Sequence, residues 1–151
     1  MNGHIRRAEP RDCARLAEIE VFSYRLNFYP IFQSDDYYFS ELTVAELAEK
    51  YRREPELIRR TLVYDDGAVK GFVRINGSEI EKLFVEPVLA GHGIGAALLE
   101  YAVREAGVRS LWALEKNARA IAFYARHGFL PTGERKPEED TEEYLLRLEM
   151  A

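Results

Sequence analysis

The chain has 151 residues, which is the size of a single globular domain (residues 1–151). Hydrophobic residues make up 47% of it and charged residues 31%, a composition that excludes a disordered protein. Its 21 basic and 26 acidic residues give a net charge of −5, which argues against nucleic-acid binding. The single cysteine, Cys13, excludes an internal disulfide framework and a multi-cysteine metal site.

The chain carries no sequence signal for a membrane or for export. Its apolar runs are much shorter than the ~20 residues of a membrane helix. Residues 1–7 hold no apolar signal-peptide core. We therefore expect a cytoplasmic protein with no membrane partner.

The first third of the chain is predicted to form one strand and two helices. His4–Ala8 is a short strand candidate, and Pro10 opens a helix whose apolar residues follow at helical spacing. Thr43, with Glu46 three residues later, is a capping-box pattern and predicts a second helix. Between the two helices lies an aromatic segment that contains Phe22, Tyr24, Phe28, Tyr29, Phe32, Tyr37, Tyr38 and Phe39.

Three strands are predicted next, at Thr61–Tyr64, Ala68–Ile75 and Ser78–Val85. Asn76-Gly77 is a strong signal for a two-residue hairpin turn. This turn predicts a register in which Arg74 faces Glu79 as a cross-strand ion pair. In the same register, Ile75 faces Ser78 and Val73 faces Ile80.

The second half of the chain alternates helices and strands. A helix follows the glycine-rich stretch Gly91–Gly95 and ends at Gly107, and a second helix, Ala118–Arg126, is capped by Asn117 and ends at Gly128. The predicted strands are Val108–Leu114, Phe129–Leu130 and Glu143–Leu148, with a charged loop from Glu134 to Asp140. The order β-α-α-β-β-β-α-β-α-β-β predicts an α/β protein with a mixed sheet that contains an antiparallel hairpin.

The glycine stretch has two possible interpretations. Gly91, Gly93 and Ala96 fit the dinucleotide-binding fingerprint, and Glu115 lies about 20 residues further on, as that motif requires. However, the fingerprint turn leaves its strand directly, whereas residues 86–90 intervene here. The preceding strand also belongs to a tight hairpin. We therefore favour a simpler anion site, in which glycines and a helix start expose backbone N–H groups to phosphate; a glycine-rich connection without a ligand is the alternative.

Two segments resemble the GNAT superfamily of N-acetyltransferases. Val85-Glu86-Pro87 and then Ala90 to Leu99 (AGHGIGAALL) are similar to motif A of that family. Asn117 to Tyr124 (NARAIAFY), followed by His127-Gly128-Phe129, is similar to its motif B. The resemblance implies a GNAT-like fold with a mostly antiparallel, twisted central sheet, one splayed strand pair and helices on both faces. One departure is Ala90, which stands where the family has glutamine or arginine.

The resemblance also implies acetyl-CoA as co-substrate, without a metal. In the family, the strand before motif A pairs with the pantetheine arm, which corresponds to Leu83, Phe84 and Val85. The implied contacts to the rest of the cofactor are Ala90, Gly91, His92, Gly93, Ile94, Gly95, Ala96, Asn117 and Tyr124. For His92 the alternative is a solvated loop residue, and for Asn117 a helix cap alone.

The implied reaction is direct transfer of an acetyl group to an amine. Tyr124 matches the family tyrosine that protonates the leaving thiolate, and packing in the core is the alternative. Glu79 is the implied general base, with Glu81 on the same strand face; the alternatives are a structural pair between Glu79 and Arg74, or a water relay.

The acceptor amine is not identified by the sequence. It is a primary amine on a small molecule, a polyamine or a protein. Acidic residues in two segments that flank the expected cleft, Asp35, Asp36, Glu138, Glu139 and Asp140, favour a cationic acceptor or are a solvated charge run. The alternative function is a non-catalytic module that binds or senses acyl-CoA. We expect a monomer or a homodimer.

Overall fold

A computed structural model describes residues 3–151 and contains one continuous seven-stranded sheet with strand order β1-β2-β3-β4-β5-β7-β6. Every neighbouring pair is antiparallel except β4 and β5, which are parallel. The strands are β1 (Ile5–Arg7), β2 (Thr61–Asp65), β3 (Val69–Asn76), β4 (Glu79–Val85), β5 (Ser110–Leu114), β6 (Phe129–Pro137) and β7 (Tyr144–Met150). The mixed α/β fold with a largely antiparallel sheet is confirmed.

Helices cover both faces of this sheet. They are α1 (Cys13–Asn27), α2 (Tyr29–Phe32), α3 (Val44–Arg53), α4 (Pro55–Arg59), α5 (Ile94–Ala106) and α6 (Ala118–Arg126), with a short π-helical turn at Tyr37–Glu41. On one face, α1, α3 and α4 bury Leu16, Tyr51 and Ile58 against Phe72. On the other face, α5 and α6 bury Leu98 and Tyr124 against the sheet. The sheet therefore separates two apolar cores.

Helix ends follow the local signals in the sequence. The Thr43 hydroxyl accepts a hydrogen bond from the Glu46 N–H, so α3 begins where the capping pattern predicts. Gly107 ends α5 with a φ of +70°, a left-handed conformation that favours glycine. The short helices α2 and α4 and the π-helical turn were not predicted.

The predicted register of the β3–β4 hairpin is wrong. Asn76 pairs with Glu79, so the loop consists of Gly77 and Ser78, with a φ of +63° at Gly77. Glycine at the first loop position is typical of a type II′ turn. The turn lies one residue later than predicted, so Ile75 pairs with Ile80 and not with Ser78. Glu81 is a bulge without a partner in β3, since Ile75 pairs with Ile80 and Arg74 with Lys82. The bulge also places Val73 opposite Leu83.

The C-terminal hairpin is longer than predicted. Strand β6 runs from Phe129 to Pro137, so residues 134–137 of the predicted charged loop belong to a strand. A register irregularity between Pro131 and Arg135 interrupts its pairing with β7. Proline and charge made this segment look like a loop, but an edge strand tolerates both because its outer N–H groups need no partner.

Candidate active site

Strands β4 and β5 separate after a short parallel contact. Within residues 3–151 they pair only at Glu79 with Ser110 and at Ile80 with Leu111. Beyond this point β5 continues to pair with β7, and the last residues of β4 continue to pair with β3. The two strands therefore enclose an opening between their C-terminal halves.

The opening exposes specific backbone groups of β4. The Glu86 N–H donates to the Lys70 carbonyl of the neighbouring strand segment. Because hydrogen-bonded residues alternate along an antiparallel pair, Phe84 also bonds to β3, whereas Leu83 and Val85 do not. The N–H and C=O groups of Leu83 and Val85 consequently point away from β3; the Val85 carbonyl accepts a hydrogen bond from the Ser23 hydroxyl at 3.4 Å, and the two Leu83 groups and the Val85 N–H face the opening. The predicted pantetheine segment, Leu83–Val85, thus has a free edge of the kind to which another extended chain can bind.

The glycine loop lies at the same end of β4. Gly91 and Gly93 have φ values of +85° and +84°, and a Cβ atom at either position would meet nothing within 4 Å. The first backbone N–H to donate within α5 is that of Ala97, to the Gly93 carbonyl. The N–H groups of Ile94, Gly95 and Ala96 therefore have no acceptor in the helix. Open space beside free donors fits a phosphate group.

The loop side chains add little charge to this site. Ala90 and His92 are both exposed. The His92 Nδ1 lies 3.0 Å from the Leu89 carbonyl and 3.3 Å from the Ala90 carbonyl, so one ring nitrogen is engaged by its own loop. Because this nitrogen is already engaged, His92 has at most its other ring nitrogen available for a phosphate.

Helix α6 packs against the start of α5. A Cβ atom on Gly95 would lie 3.5 Å from the Phe123 ring and 3.5 Å from a methyl group of Val85, so the absence of a side chain permits this close packing. Asn117 caps α6, since its side chain accepts from the Ala120 N–H at 3.2 Å. The cap interpretation of Asn117 is thus confirmed, and contact with the cofactor stays a prediction.

Tyr124 is 9% exposed, and its ring packs edge-on against Phe123 and Phe129. Its hydroxyl makes no hydrogen bond to residues 3–151, yet this part of the chain holds no fully buried side-chain oxygen that lacks a partner. The hydroxyl therefore keeps some contact with solvent. Burial raises the pKa of Tyr124, so the phenol is protonated at neutral pH. The ring contributes to the core while the hydroxyl remains available as a donor.

The two predicted base candidates, Glu79 and Glu81, lie on β4. The expected pair between Glu79 and Arg74 is absent, because the shifted hairpin places Arg74 opposite Lys82. Instead, Glu79 lies 3.9 Å from Arg147. Glu81 lies 3.3 Å from Arg60 and 3.9 Å from Arg74.

A buried polar cluster between α1 and the sheet was not predicted. Glu20 is 3% exposed and Arg74 2% exposed. The Tyr51 hydroxyl donates to the Glu20 carboxylate, and Arg74 donates to the Tyr51 hydroxyl. The Lys82 Nζ lies 3.2 Å from Glu20. The only sequence signal is the charge of Glu20 between the apolar residues Ile19 and Val21, which by itself indicates no partner.

The aromatic segment reaches the end of β4. Tyr24 and Phe28 pack on the Phe84 ring, with centroid distances of 5.1 and 6.4 Å. Lys82 donates to the Tyr24 hydroxyl. Burial, followed by the negative charge of Glu20, raises the pKa of Tyr24 well above its usual value. Tyr24, Phe28 and Phe84 therefore form a neutral aromatic wall at this end of β4.

The two predicted acidic segments approach each other beside this wall. Burial, followed by the proximity of Tyr37 and of the Glu138 carboxylate, raises the pKa of Tyr38 to about 12. The Glu138 carboxylate therefore lies near enough to Tyr38 to affect its pKa, which places the loop between β6 and β7 on the same side as the π-helical turn. Asp35 accepts a hydrogen bond from the Tyr29 hydroxyl at 2.5 Å.

Residues 3–151 form neither a metal-binding cluster nor a membrane-spanning helix. No group of three or more histidine, cysteine, aspartate or glutamate side chains there is arranged to hold a metal ion. None of the helices formed by these residues has the length and apolarity that crossing a bilayer requires.

Comparisons with known proteins identify the family. Residues 58–131 match the acetyltransferase (GNAT) domain. The peptidyl-lysine N-acetyltransferase YjaB of Escherichia coli is 30% identical over 109 residues, which cover 66% of this chain and 74% of that protein. YjaB of Salmonella typhimurium is 32% identical over 92 residues, 61% of this chain and 63% of that protein.

Solved structures show the same fold. The solution structure of apo YjaB from Escherichia coli superposes with a TM-score of 0.75 at 26% identity, covering 97% of this chain and 96% of that one. The PaiA N-acetyltransferase of Thermoplasma acidophilum, crystallised with coenzyme A, has a TM-score of 0.70 at 22% identity, covering 96% and 97%.

The chain belongs to the GNAT family of N-acetyltransferases. It is an acyltransferase of the N-acetyltransferase class.

Proposed function

We propose that this enzyme transfers the acetyl group of acetyl-CoA to the ε-amine of a lysine in a polypeptide. The observation that carries the proposal is the opening between β4 and β5, which adjoins the glycine loop at one end and the aromatic wall on the α1 face. The curated YjaB relatives are named as peptidyl-lysine N-acetyltransferases, which supports lysine as the acceptor.

The residues around the opening fit acetyl-CoA. Free N–H groups at the start of α5 are suited to its phosphates, and the exposed edge of Leu83 and Val85 is suited to the amide groups of its pantetheine arm. When bound, the cofactor supplies an acetyl group activated as a thioester. The N–H groups on this edge also provide fixed donors for a carbonyl oxygen that gains negative charge.

Tyr124 is the proposed proton donor to the cofactor sulfur. Its hydroxyl has no acceptor among residues 3–151, so no protein group competes for its proton. Burial raises its pKa, so the hydroxyl carries its proton at neutral pH, and the same rise makes it a weaker acid than an exposed phenol. A positioned acid of this kind contributes roughly 10²–10⁴-fold to a rate.

Glu79 is the better of the two proposed bases. Glu81 already forms ion pairs with two guanidinium groups, those of Arg60 at 3.3 Å and Arg74 at 3.9 Å, which occupy its carboxylate. Glu79 is flanked by one guanidinium group at 3.9 Å. Both carboxylates lie on β4 before the opening, so a water molecule would carry the proton from the acceptor amine to Glu79.

The aromatic and acidic walls suit a lysine side chain. The rings of Tyr24, Phe28 and Phe84 are suited to packing on the aliphatic stem of a lysine. The carboxylates of Asp35, which bonds Tyr29, and of Glu138, which lies near Tyr38, would favour the approach of an ammonium group.

The test is acetyl transfer to matched peptides. The purified enzyme is incubated with acetyl-CoA and a peptide that contains one lysine, and the product is read by mass spectrometry. Controls are the same peptide with arginine in place of lysine, a small polyamine, and the Tyr124→Phe variant to subtract uncatalysed acetylation. We expect acetylation of the lysine peptide only. Turnover on the polyamine with none on a panel of lysine peptides would refute the proposal.

A further inference from the structure

The loop of the proposed phosphate site carries no arginine or lysine, and an uncharged residue stands at the position that holds glutamine or arginine in the family. Ala90 occupies that position, and the nearest titratable side chain in the loop, His92, directs one ring nitrogen at its own backbone. A hydrogen bond to a charged group is roughly twice as strong as one between neutral groups. The loop therefore provides backbone donors to a diphosphate but no full positive charge.

Helix α6 runs beside α5 in the same direction. Near the start of α5, the Phe123 ring lies against Gly95. Further along, the His127 Nδ1 lies 3.9 Å from the Glu100 carboxylate of α5. The contact advances by five residues on α5 and by four on α6. Side chains four residues apart on α6, such as Phe123 and His127, thus form a stripe that faces α5.

Arg119 is the preceding member of this stripe. It stands four residues before Phe123, which corresponds to about 6 Å along the helix axis. Since Phe123 is level with Gly95, Arg119 is level with the loop that contains Gly91 and Gly93. The Arg119 side chain is exposed, and it makes no hydrogen bond or ion pair with residues 3–151. The stripe therefore directs Arg119, which has no partner within residues 3–151, toward the end of α5 that carries the glycine loop.

We propose that Arg119 binds the diphosphate of acetyl-CoA and supplies the positive charge that Ala90 does not. The guanidinium reaches the phosphate from α6, whereas the backbone donors reach it from α5. A planar guanidinium is suited to contacting two phosphate oxygens at once. This assignment depends on cofactor binding and not on the identity of the acceptor.

The experiment measures affinity by titration calorimetry for three ligands: coenzyme A, dephospho-coenzyme A, which lacks only the 3′-phosphate, and pantetheine, which lacks all phosphates. The variant is Arg119→Gln. The matched control is Arg126→Gln, because Arg126 is also exposed on α6 and has no ion pair within residues 3–151, but lies at the far end of the helix. Circular dichroism checks that both variants are folded, and neither arginine is buried.

We expect Arg119→Gln to weaken the binding of coenzyme A and of dephospho-coenzyme A by about tenfold each. This loss is typical of one hydrogen bond to a charged group. The affinity of Arg119→Gln for pantetheine should equal that of the wild type. Arg126→Gln should bind all three ligands with wild-type affinity. Adding Ala90→Arg to Arg119→Gln should restore the affinity, because the charge returns to the same phosphates.

Three results would overturn the assignment. Unchanged coenzyme A affinity in Arg119→Gln would show that the guanidinium does not reach the cofactor. An equal loss for pantetheine would show a general disturbance of the site. A loss for coenzyme A alone would place Arg119 at the 3′-phosphate, where it cannot compensate for Ala90.

Discussion

Gly93→Ala separates the cost of an unfavourable backbone from the loss of a phosphate contact. Gly93 has a φ of +84°, so alanine there costs about 1–2 kcal/mol of folding free energy. In a chain of this size, 1 kcal/mol lowers Tm by about 2–4 °C, so we expect a decrease of about 2–8 °C. The added Cβ meets no protein atom within 4 Å and projects into the open space that suits phosphate. Loss of one close N–H contact to a charged phosphate would weaken the binding of acetyl-CoA by at least about tenfold.

The matched control is Gly107→Ala at the other end of α5. Gly107 has a φ of +70°, and its Cβ would also meet nothing within 4 Å. We expect the same decrease in Tm without acetyl-CoA, measured by differential scanning calorimetry. Saturating acetyl-CoA should raise the Tm of the Gly107 variant as much as that of the wild type, and should raise that of the Gly93 variant much less. Equal stabilisation of both variants would refute the assignment of the loop as the phosphate site.

Three further predictions concern protons. Tyr124→Phe should lower kcat roughly 10²–10⁴-fold with little change in acetyl-CoA affinity. If the variant turns over at the wild-type rate, Tyr124 only packs in the core. Glu79→Gln should lower kcat/KM most at low pH, where free amine is scarcest, and Glu81→Gln should change it little; the reverse order would exchange their roles. Asp12 is buried, which opposes ionisation, but bonds from Arg6 and the Glu9 N–H outweigh this and lower its pKa. Asp12→Asn should therefore cost about 1–3 kcal/mol above pH ~4, and urea unfolding should show this difference disappearing as the pH falls through the lowered pKa.

Local signals in the sequence predicted much of the secondary structure. Thr43, Gly107 and Asn117 mark helix ends because a cap or a left-handed residue acts within one turn of the chain. The glycine loop was found for the same reason, since its backbone conformation depends on residues next to one another.

Features that depend on distant residues were missed. The register of the β3–β4 hairpin depends on which of two adjacent residues enters the turn and on the bulge at Glu81, and neither is visible in the alternation of residues. The cluster of Glu20, Arg74 and Lys82 joins residues more than 50 positions apart in the chain. Its partners become apparent only once α1 lies on the sheet. The role proposed for Arg119 likewise depends on how α6 packs against α5, which the sequence does not show.

The pantetheine arm of acetyl-CoA is proposed to bind in the opening between β4 and β5. Amide hydrogen exchange by NMR, with and without acetyl-CoA, tests it residue by residue. The Leu83 and Val85 amides face the opening, whereas the neighbouring Phe84 amide is hydrogen-bonded to β3 and serves as an internal control. We predict that acetyl-CoA slows exchange at Leu83 and Val85 at least about tenfold and leaves Phe84 nearly unchanged. Saturating acetyl-CoA with no added protection at Leu83 and Val85 would contradict the claim.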